Sequence, residues 1–260
     1  MTRLDVWLAD HGLAESREKA QALVMAGRVR VDGQPAAKPG TRLKDGQAVT
    51  VDAGPSHVGR GALKLAGALD AFGVDPAGRV AVDVGASTGG FSETLLARGA
   101  ARVYAVDVGR GQLHESLRRD QRVLVRDRTN ARALSPEVVP EPCALEVMDV
   151  SFISVRRILP ALRSVLAPEA EAVVLVKPQF EVGRGQVGRG GVVRDPALHE
   201  QALFEVAAAA QALGFGVRGA CASPLAGAEG NREFFLHLAP GAGTLAPDEL
   251  RNVVRKAVLN

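Results

Sequence analysis

Four charged residues far apart in the chain, Lys64, Asp149, Lys177 and Glu233, have the types needed to take a proton from a reluctant hydroxyl. Lys177 closes the apolar run Val174-Leu175-Val176, where an ammonium without a partner would be costly to bury. Asp149 ends a neighbouring apolar run and is its natural partner. Lys64 lies in a helical stretch before the first such run, and Glu233 precedes Phe234-Phe235-Leu236. Singly, Lys64 reads as a surface lysine and Glu233 as a strand-edge charge. Together the set suits methyl transfer to a ribose 2′-hydroxyl. That hydroxyl is a poor nucleophile near neutral pH, so a base must take its proton as the methyl group leaves a sulfonium. A lysine can be that base when desolvation or a second cation favours its neutral form, and Lys64 with Lys177 in one pocket would supply both. The displacement is in line, so the protein contributes chiefly by positioning.

A second constellation begins where the run Val80–Val84 ends. Asp83-Val84-Gly85-Ala86-Ser87-Thr88-Gly89-Gly90 holds small residues that let a backbone turn sharply against a ligand, with a helix starting behind it. A dinucleotide turn needs Gly-x-Gly-x-x-Gly, which the spacing of Gly85, Gly89 and Gly90 does not give. Asp-x-Gly-x-x-x-Gly-Gly instead suits the amino-acid end of S-adenosylmethionine, with Asp83 receiving its ammonium directly or through water. Asp107, after Tyr104-Ala105-Val106, is placed to accept both ribose hydroxyls of a nucleoside, and Asp127, after the next run, to approach the adenine.

These residues need a scaffold that collects strand ends. Apolar runs at 80–84, 102–106, 122–125, 144–148 and 172–176 alternate with helix-like segments, which argues for a parallel sheet covered by helices. Leu65, Leu69 and Phe72 mark a helix that stops near Gly73. Asp195 caps a long helix with Pro196 in first position, a stripe of Leu198, Leu203, Val206, Ala210 and Leu213, and a stop at Gly214. Runs at 216–222 and 234–238 would complete the sheet, and 247–260 reads as a short exposed helix. Ahead of all this, Leu4, Trp7 and Leu8 recur at helical spacing, as do Ala20, Leu23 and Val24 after Ser16 as N-cap. Short strands follow around the turns Asp32-Gly33 and Asp45-Gly46. The fold class is therefore α/β, with a small module over 1–56, a linker over 57–63 and a larger domain over 64–260.

The chain has 260 residues, 47% hydrophobic and 23% charged, as expected of a globular protein with a real core. It contains no run of ~18 apolar residues that would span a membrane. Asp5 and Asp10 break the opening stretch, so no signal peptide is expected. Cys143 and Cys221 are the only cysteines, too few for a disulfide framework or a Cys-rich zinc site; no metal is expected, and a reducing cytoplasm fits. The net charge of +3 is too small to name a polyanion partner, although residues 98–132 hold nine basic against four acidic residues.

Six segments in combination resemble the TlyA family: 83–91, Val106-Asp107-Val108-Gly109, 128–132, 149–154, 176–183 and 188–193. The order Lys64, Asp149, Lys177, Glu233 resembles the tetrad of FtsJ-type RNA 2′-O-methyltransferases. The resemblance spans nearly the whole chain. It implies an N-terminal S4-type RNA-binding domain and a class I Rossmann-like methyltransferase domain with a mostly parallel seven-stranded sheet. It implies S-adenosyl-L-methionine as cofactor, ribosomal RNA or ribosomal subunits as partner, and no membrane. The target implied is cytidine ribose in 23S and, for longer members, also 16S RNA. Carried over by position, Lys64, Asp149, Lys177 and Glu233 form the catalytic set. Asp83, Gly85, Ala86, Ser87, Thr88, Gly89, Gly90, Asp107 and Asp127 form the cofactor set. Arg3, Arg17, Lys19, Arg28 and Arg30 become phosphate contacts, which position RNA without reading its sequence. The chain departs from the family at Arg110, where an aromatic residue is usual. A non-catalytic ribosome-assembly factor would not need the intact tetrad and glycine turn. Some members are named hemolysins, but nothing here reads as a spanning segment or a basic amphipathic helix.

Overall fold

The structure, a computed structural model, describes residues 2–14, 17–25, 27–36, 38–44, 46–51, 59–241, 243 and 245–259. The chain divides into two compact units, Met1–Ser56 and His57–Asn260. The expected N-cap Ser16, the turn residue Asp45, residues 52–56 and the first two residues of the expected linker 57–63 lie outside the described residues.

In the first unit, helices α1 (Leu4–Asp10) and α2 (Arg17–Met25) pack with strands β1 (Val29–Val31), β2 (Gln34–Pro35) and β3 (Val49–Val51). β1 is the centre of an antiparallel sheet ordered β2-β1-β3. Asp32 and Gly33 both take positive φ, 52° and 79°, the backbone a tight hairpin requires and Asp-Gly supplies. Leu4, Leu8, Ala20, Val24, Val29 and Leu43 are the buried core, so the helical spacing seen in sequence is the buried face.

The second unit opens with α3 (Arg60–Phe72), whose first turn occupies the end of the stretch 57–63. Gly73, at φ 65°, ends it. There follow β4 (Val80–Val84), α4 (Gly90–Ala97), β5 (Arg102–Val106), α5 (Glu115–Arg119), β6 (Val123–Arg126), β7 (Cys143–Met148), α6 (Leu159–Leu162), β8 (Leu166–Val176), α7 (Pro178–Glu181), α8 (Pro196–Ala212), β9 (Phe215–Ala222), β10 (Phe234–Pro240) and α9 (Pro247–Leu259). The seven-stranded sheet runs β6-β5-β4-β7-β8-β10-β9. β4 to β8 are parallel, and β10 runs antiparallel to both β8 and β9. Alternation along the strands builds two cores. Val82, Met148 and Val174 meet Leu203 and Val206 of α8 on one face; Ala81, Val147 and Leu175 meet Leu65, Leu69 and Leu95 of α3 and α4 on the other.

Three details differ from the sequence reading. β8 begins at Leu166, because Leu166 pairs with Cys143 before a register shift, although Pro168 and Glu169 interrupt the apolar pattern. On α8 the inward positions are His199, Ala202, Leu203, Val206, Ala207 and Ala210, while Leu198 and Leu213 are only half-buried. His199 tolerates the interior because its Nε2 meets the Val193 carbonyl at 2.9 Å. The tail helix α9 is not simply exposed: Leu250, Val254 and Ala257 are buried in the core it shares with α8.

Candidate active site

Strand pairing brings the charged residues to one rim. Val84 pairs with Met148, Met148 with Val174, and Val176 with Phe234. The residues just beyond those pairs are Gly85, Asp149, Lys177 and, across from Lys177, Glu233. Lys64 reaches the same rim from α3. Lys177 Nζ lies 2.6 Å from Asp149 Oδ1 and donates to Ser151 Oγ at 2.9 Å. Lys64 Nζ donates to Glu233 Oε2 at 2.5 Å. Each lysine is 8% exposed and Glu233 4%, so two ammonium groups are held below the surface, each on its own carboxylate. Burial of a lysine is tolerable on those terms.

The glycine turn lies beside this rim and borders a cleft of about 520 Å³ lined by Gly85, Ser87, Asp107, Gln112, Asp149 and Ser151 among others. Gly85 has φ 88°, and a Cβ there would sit 2.3 Å from the Asp149 carbonyl oxygen. Gly89 has φ 104°, and its Cβ would overlap Leu117 at 2.2 Å. Only glycine fits either place. Asp107 accepts from the Ser87 and Gly109 amides at 2.8 and 2.7 Å, which fixes its carboxylate against the cleft. Ala86, Thr88 and Gly90 shape the turn rather than line the cleft: the Ala86 amide donates to Val106 O, Thr88 O accepts from His114, and Gly90 starts α4.

Two acids of the expected cofactor set stand back from the cleft. Asp83 is fully buried, with Oδ2 accepting from Ser92 Oγ at 2.7 Å and Oδ1 without a partner among the described residues. Burial pushes its carboxyl up to about 7; the Ser92 hydrogen bond opposes this and the charge of Asp149 adds to it. Asp127 is drawn away by the Gly111 amide at 3.1 Å and Arg118 at 3.2 Å, which hold it below the usual carboxylate range. The cleft lining also includes Thr129, Asn130, Ala131, Arg132 and Ile158.

Sequence reading missed the brace behind the rim. Buried Glu181 accepts from Ser154 Oγ at 2.6 Å, the Val155 amide at 2.7 Å and Arg156 Nε at 3.2 Å, and Arg156 continues to Glu205 on α8 at 2.7 Å. This ties the loop after Asp149 to the end of β8. Burial raises the Glu181 carboxyl in spite of these donors. An acid four residues after Lys177, flanked by Phe180 and Val182, was the available signal. Phe152 was missed too. It is 92% exposed, takes φ 64°, and lies 5.2 Å from the Phe180 ring, which is itself 6.0 Å from Lys177 Nζ. An exposed aromatic ring of this kind is chemically suited to stacking on a nucleic-acid base.

The basic residues fall into two groups. In the first unit, Arg3 and Arg17 both pair with Asp5, Arg30 is exposed and donates to Gly33 O, Arg28 is half-buried, and Lys19 lies on α2 with its side chain outside the described residues. In the second, five of the nine arginines of 98–132 pair with acids. Arg98, Arg102, Arg118, Arg119 and Arg122 pair with Asp70, Glu141, Asp127, Glu115 and Asp120. Arg126 donates to the Val138 carbonyl. Of the five acids, only Asp70 and Glu141 lie outside the stretch, so they answer two of the five surplus charges read from sequence.

Comparison with known proteins identifies the family. The family described as FtsJ-like methyltransferase matches residues 57–239, and the S4 domain family matches residues 2–49. A Mycobacterium tuberculosis protein named 16S/23S rRNA (cytidine-2′-O)-methyltransferase TlyA is 51% identical over 259 residues, 98% of this chain and 97% of that one. Hemolysin A of Brachyspira hyodysenteriae is 38% identical, covering 90% of this chain and 98% of its own. A solved Streptococcus thermophilus structure described as a candidate hemolysin superposes with a TM-score of 0.78 at 41% identity, covering 98% of this chain and 95% of that one. Among the described residues, no helix is long and apolar enough to cross a membrane.

Proposed function

Because the chain belongs to the TlyA family of FtsJ-like methyltransferases and carries an S4 domain, we propose that it methylates the 2′-hydroxyl of a cytidine in ribosomal RNA, using S-adenosylmethionine. The observation that carries this reading is the pair of buried lysine–carboxylate contacts on one rim, next to a turn only glycine can make.

The residues present fit that cofactor. Asp107 faces the cleft with its carboxylate fixed for ribose hydroxyls, and Asp83 Oδ1 is a buried acceptor left over for an ammonium. When bound, the cofactor supplies a methyl group on a sulfonium, and the hydroxyl oxygen gains it as the carbon–sulfur bond breaks. Lys177, in its neutral form after releasing one proton to solvent, takes the hydroxyl proton. Asp149 and Ser151 hold its Nζ at the rim, and Glu233 does the same for Lys64, which orients the ribose. Phe152 offers its open face to the target base. The S4 unit holds the RNA by its backbone.

The test is direct. Purified protein is incubated with large and small ribosomal subunits and labelled S-adenosylmethionine, and the RNA is digested to nucleosides. 2′-O-methylcytidine should appear and map to discrete positions. No transfer to either subunit or to deproteinised rRNA would overturn the proposal.

A further inference from the structure

Asp5 stands in the first turn of α1, where an acid is favoured, but its burial is unusual. It is wholly buried, and it carries the opposite charge to the residues around it. Its carboxylate gathers three side chains. Arg3 donates through Nε at 3.0 Å and Nη2 at 2.9 Å, Arg17 through Nε at 3.1 Å, and Gln21 through Nε2 at 2.9 Å. Its own amide is fixed to the Pro39 carbonyl at 3.0 Å, and the Arg3 guanidinium packs on Gly40. Despite these contacts, Arg3 and Arg17 keep side-chain exposures of 46% and 51%.

We propose that Asp5 is a positioning residue that converges Arg3 and Arg17 into one pincer for a single backbone phosphate of the RNA. This rests on the reading that the S4 unit holds ribosomal RNA. Two guanidinium groups repel each other at short range, and a carboxylate between them removes that repulsion. The charges of Arg3, Arg17 and Asp5 leave a surplus of one, which matches one phosphodiester. Each guanidinium is engaged by its inner edge, so its outer edge presents a planar fork of N–H donors suited to phosphate oxygens. Lysine cannot reproduce this, because its single ammonium would have to serve the buried carboxylate or the phosphate, not both.

Charge counting and positioning predict opposite results. Asp5→Asn raises the net charge by one, so non-specific attraction alone would tighten RNA binding. Arg17→Lys leaves the net charge unchanged, so attraction alone would leave affinity as it was. The probe is deproteinised 23S rRNA bound by the full chain across a salt series, with melting temperature recorded for each protein. The pincer predicts that both variants bind about tenfold or more weakly, and that the slope of log affinity against log salt shrinks by about one. For Arg17→Lys, whose side chain is half-exposed, the melting temperature should stay at the wild-type value. Wild-type affinity in Arg17→Lys together with tighter binding in Asp5→Asn would overturn the proposal. So would a loss of affinity only in variants that also melt earlier, since Asp5 would then be a structural tie. Absence of salt-dependent binding by the wild-type chain would instead refute the reading of the S4 unit, and that arm is measured separately.

Discussion

The catalytic unit contains two kinds of ion pair, and they do different work. Lys64–Glu233 and Lys177–Asp149 lie below the surface at the ends of strands that converge from distant parts of the sequence. Arg119–Glu115 and Arg122–Asp120 lie on the surface between residues close in sequence. A window of sequence treats both as charge. Burial separates them: a surface pair contributes little and is screened by salt, whereas a buried charge deprived of its partner is strongly destabilising. Lys64 and Lys177 lie on the rim of the candidate site, whereas five of the nine arginines of 98–132 pair with acids nearer the surface.

The largest effect is expected at Lys177. Lys177→Met should lower kcat by about 10²–10⁴-fold if its Nζ accepts the hydroxyl proton. Cofactor affinity, measured by titration calorimetry, should stay within a few-fold, because the cleft is built mainly by other residues. A variant that methylates at the wild-type rate would remove Lys177 from the chemistry. Next in size is Glu233→Ala, which leaves the Lys64 ammonium buried without its carboxylate. Denaturant unfolding should show a loss of about 3–5 kcal/mol. A loss below 1 kcal/mol would place this pair with the surface kind.

Much of the fold and the rim was legible in the sequence, for identifiable reasons. Apolar runs at βα spacing gave the parallel strands, and a lysine at the end of such a run pointed to a buried partner. Asp195-Pro196 and Gly214 marked α8 because capping is local chemistry. Tertiary partners were not legible. Arg98 and Arg102 meet Asp70 and Glu141, acids outside the 98–132 window, so the local surplus had no meaning until the chain folded. Asp127, expected as an adenine contact, is held by Arg118 and the Gly111 amide, partners that its own position in the sequence did not announce. The Glu181 brace joins a loop to a helix that only the sheet brings together. Asp83 was legible as to place but not as to state, since its elevated titration follows from complete burial.

The burial of Asp83 has a consequence for cofactor binding. Asp83 titrates near 7, above the ordinary carboxylate value, so it is largely neutral at pH 6 and largely ionised at pH 8. An ammonium is attracted only by the ionised form, so binding expels a proton from the neutral one. Affinity for S-adenosylmethionine should therefore rise with pH, with a difference of about tenfold between pH 6 and pH 8. Asp83→Asn should bind weakly at both, with the dependence gone. A flat wild-type profile would mean that Asp83 does not meet the cofactor's cation.

The smallest effect is expected where sequence charge was densest. Arg119 and Glu115 keep side-chain exposures of 78% and 63%, and their contact spans one helical turn. Pairs of this kind contribute about 0.3–0.5 kcal/mol. Arg119→Ala should thus change unfolding free energy by no more than that, and added salt should erase the difference. The same variant also tests what remains of a basic RNA face on this unit. If its arginines chiefly satisfy their own acids, removing Arg119 lowers rRNA affinity by less than about twofold, and the salt slope of binding stays unchanged. A slope that shrinks by about one would instead assign Arg119 a phosphate of its own. The surface pair would then be a contact in waiting, opened by RNA rather than idle beside it.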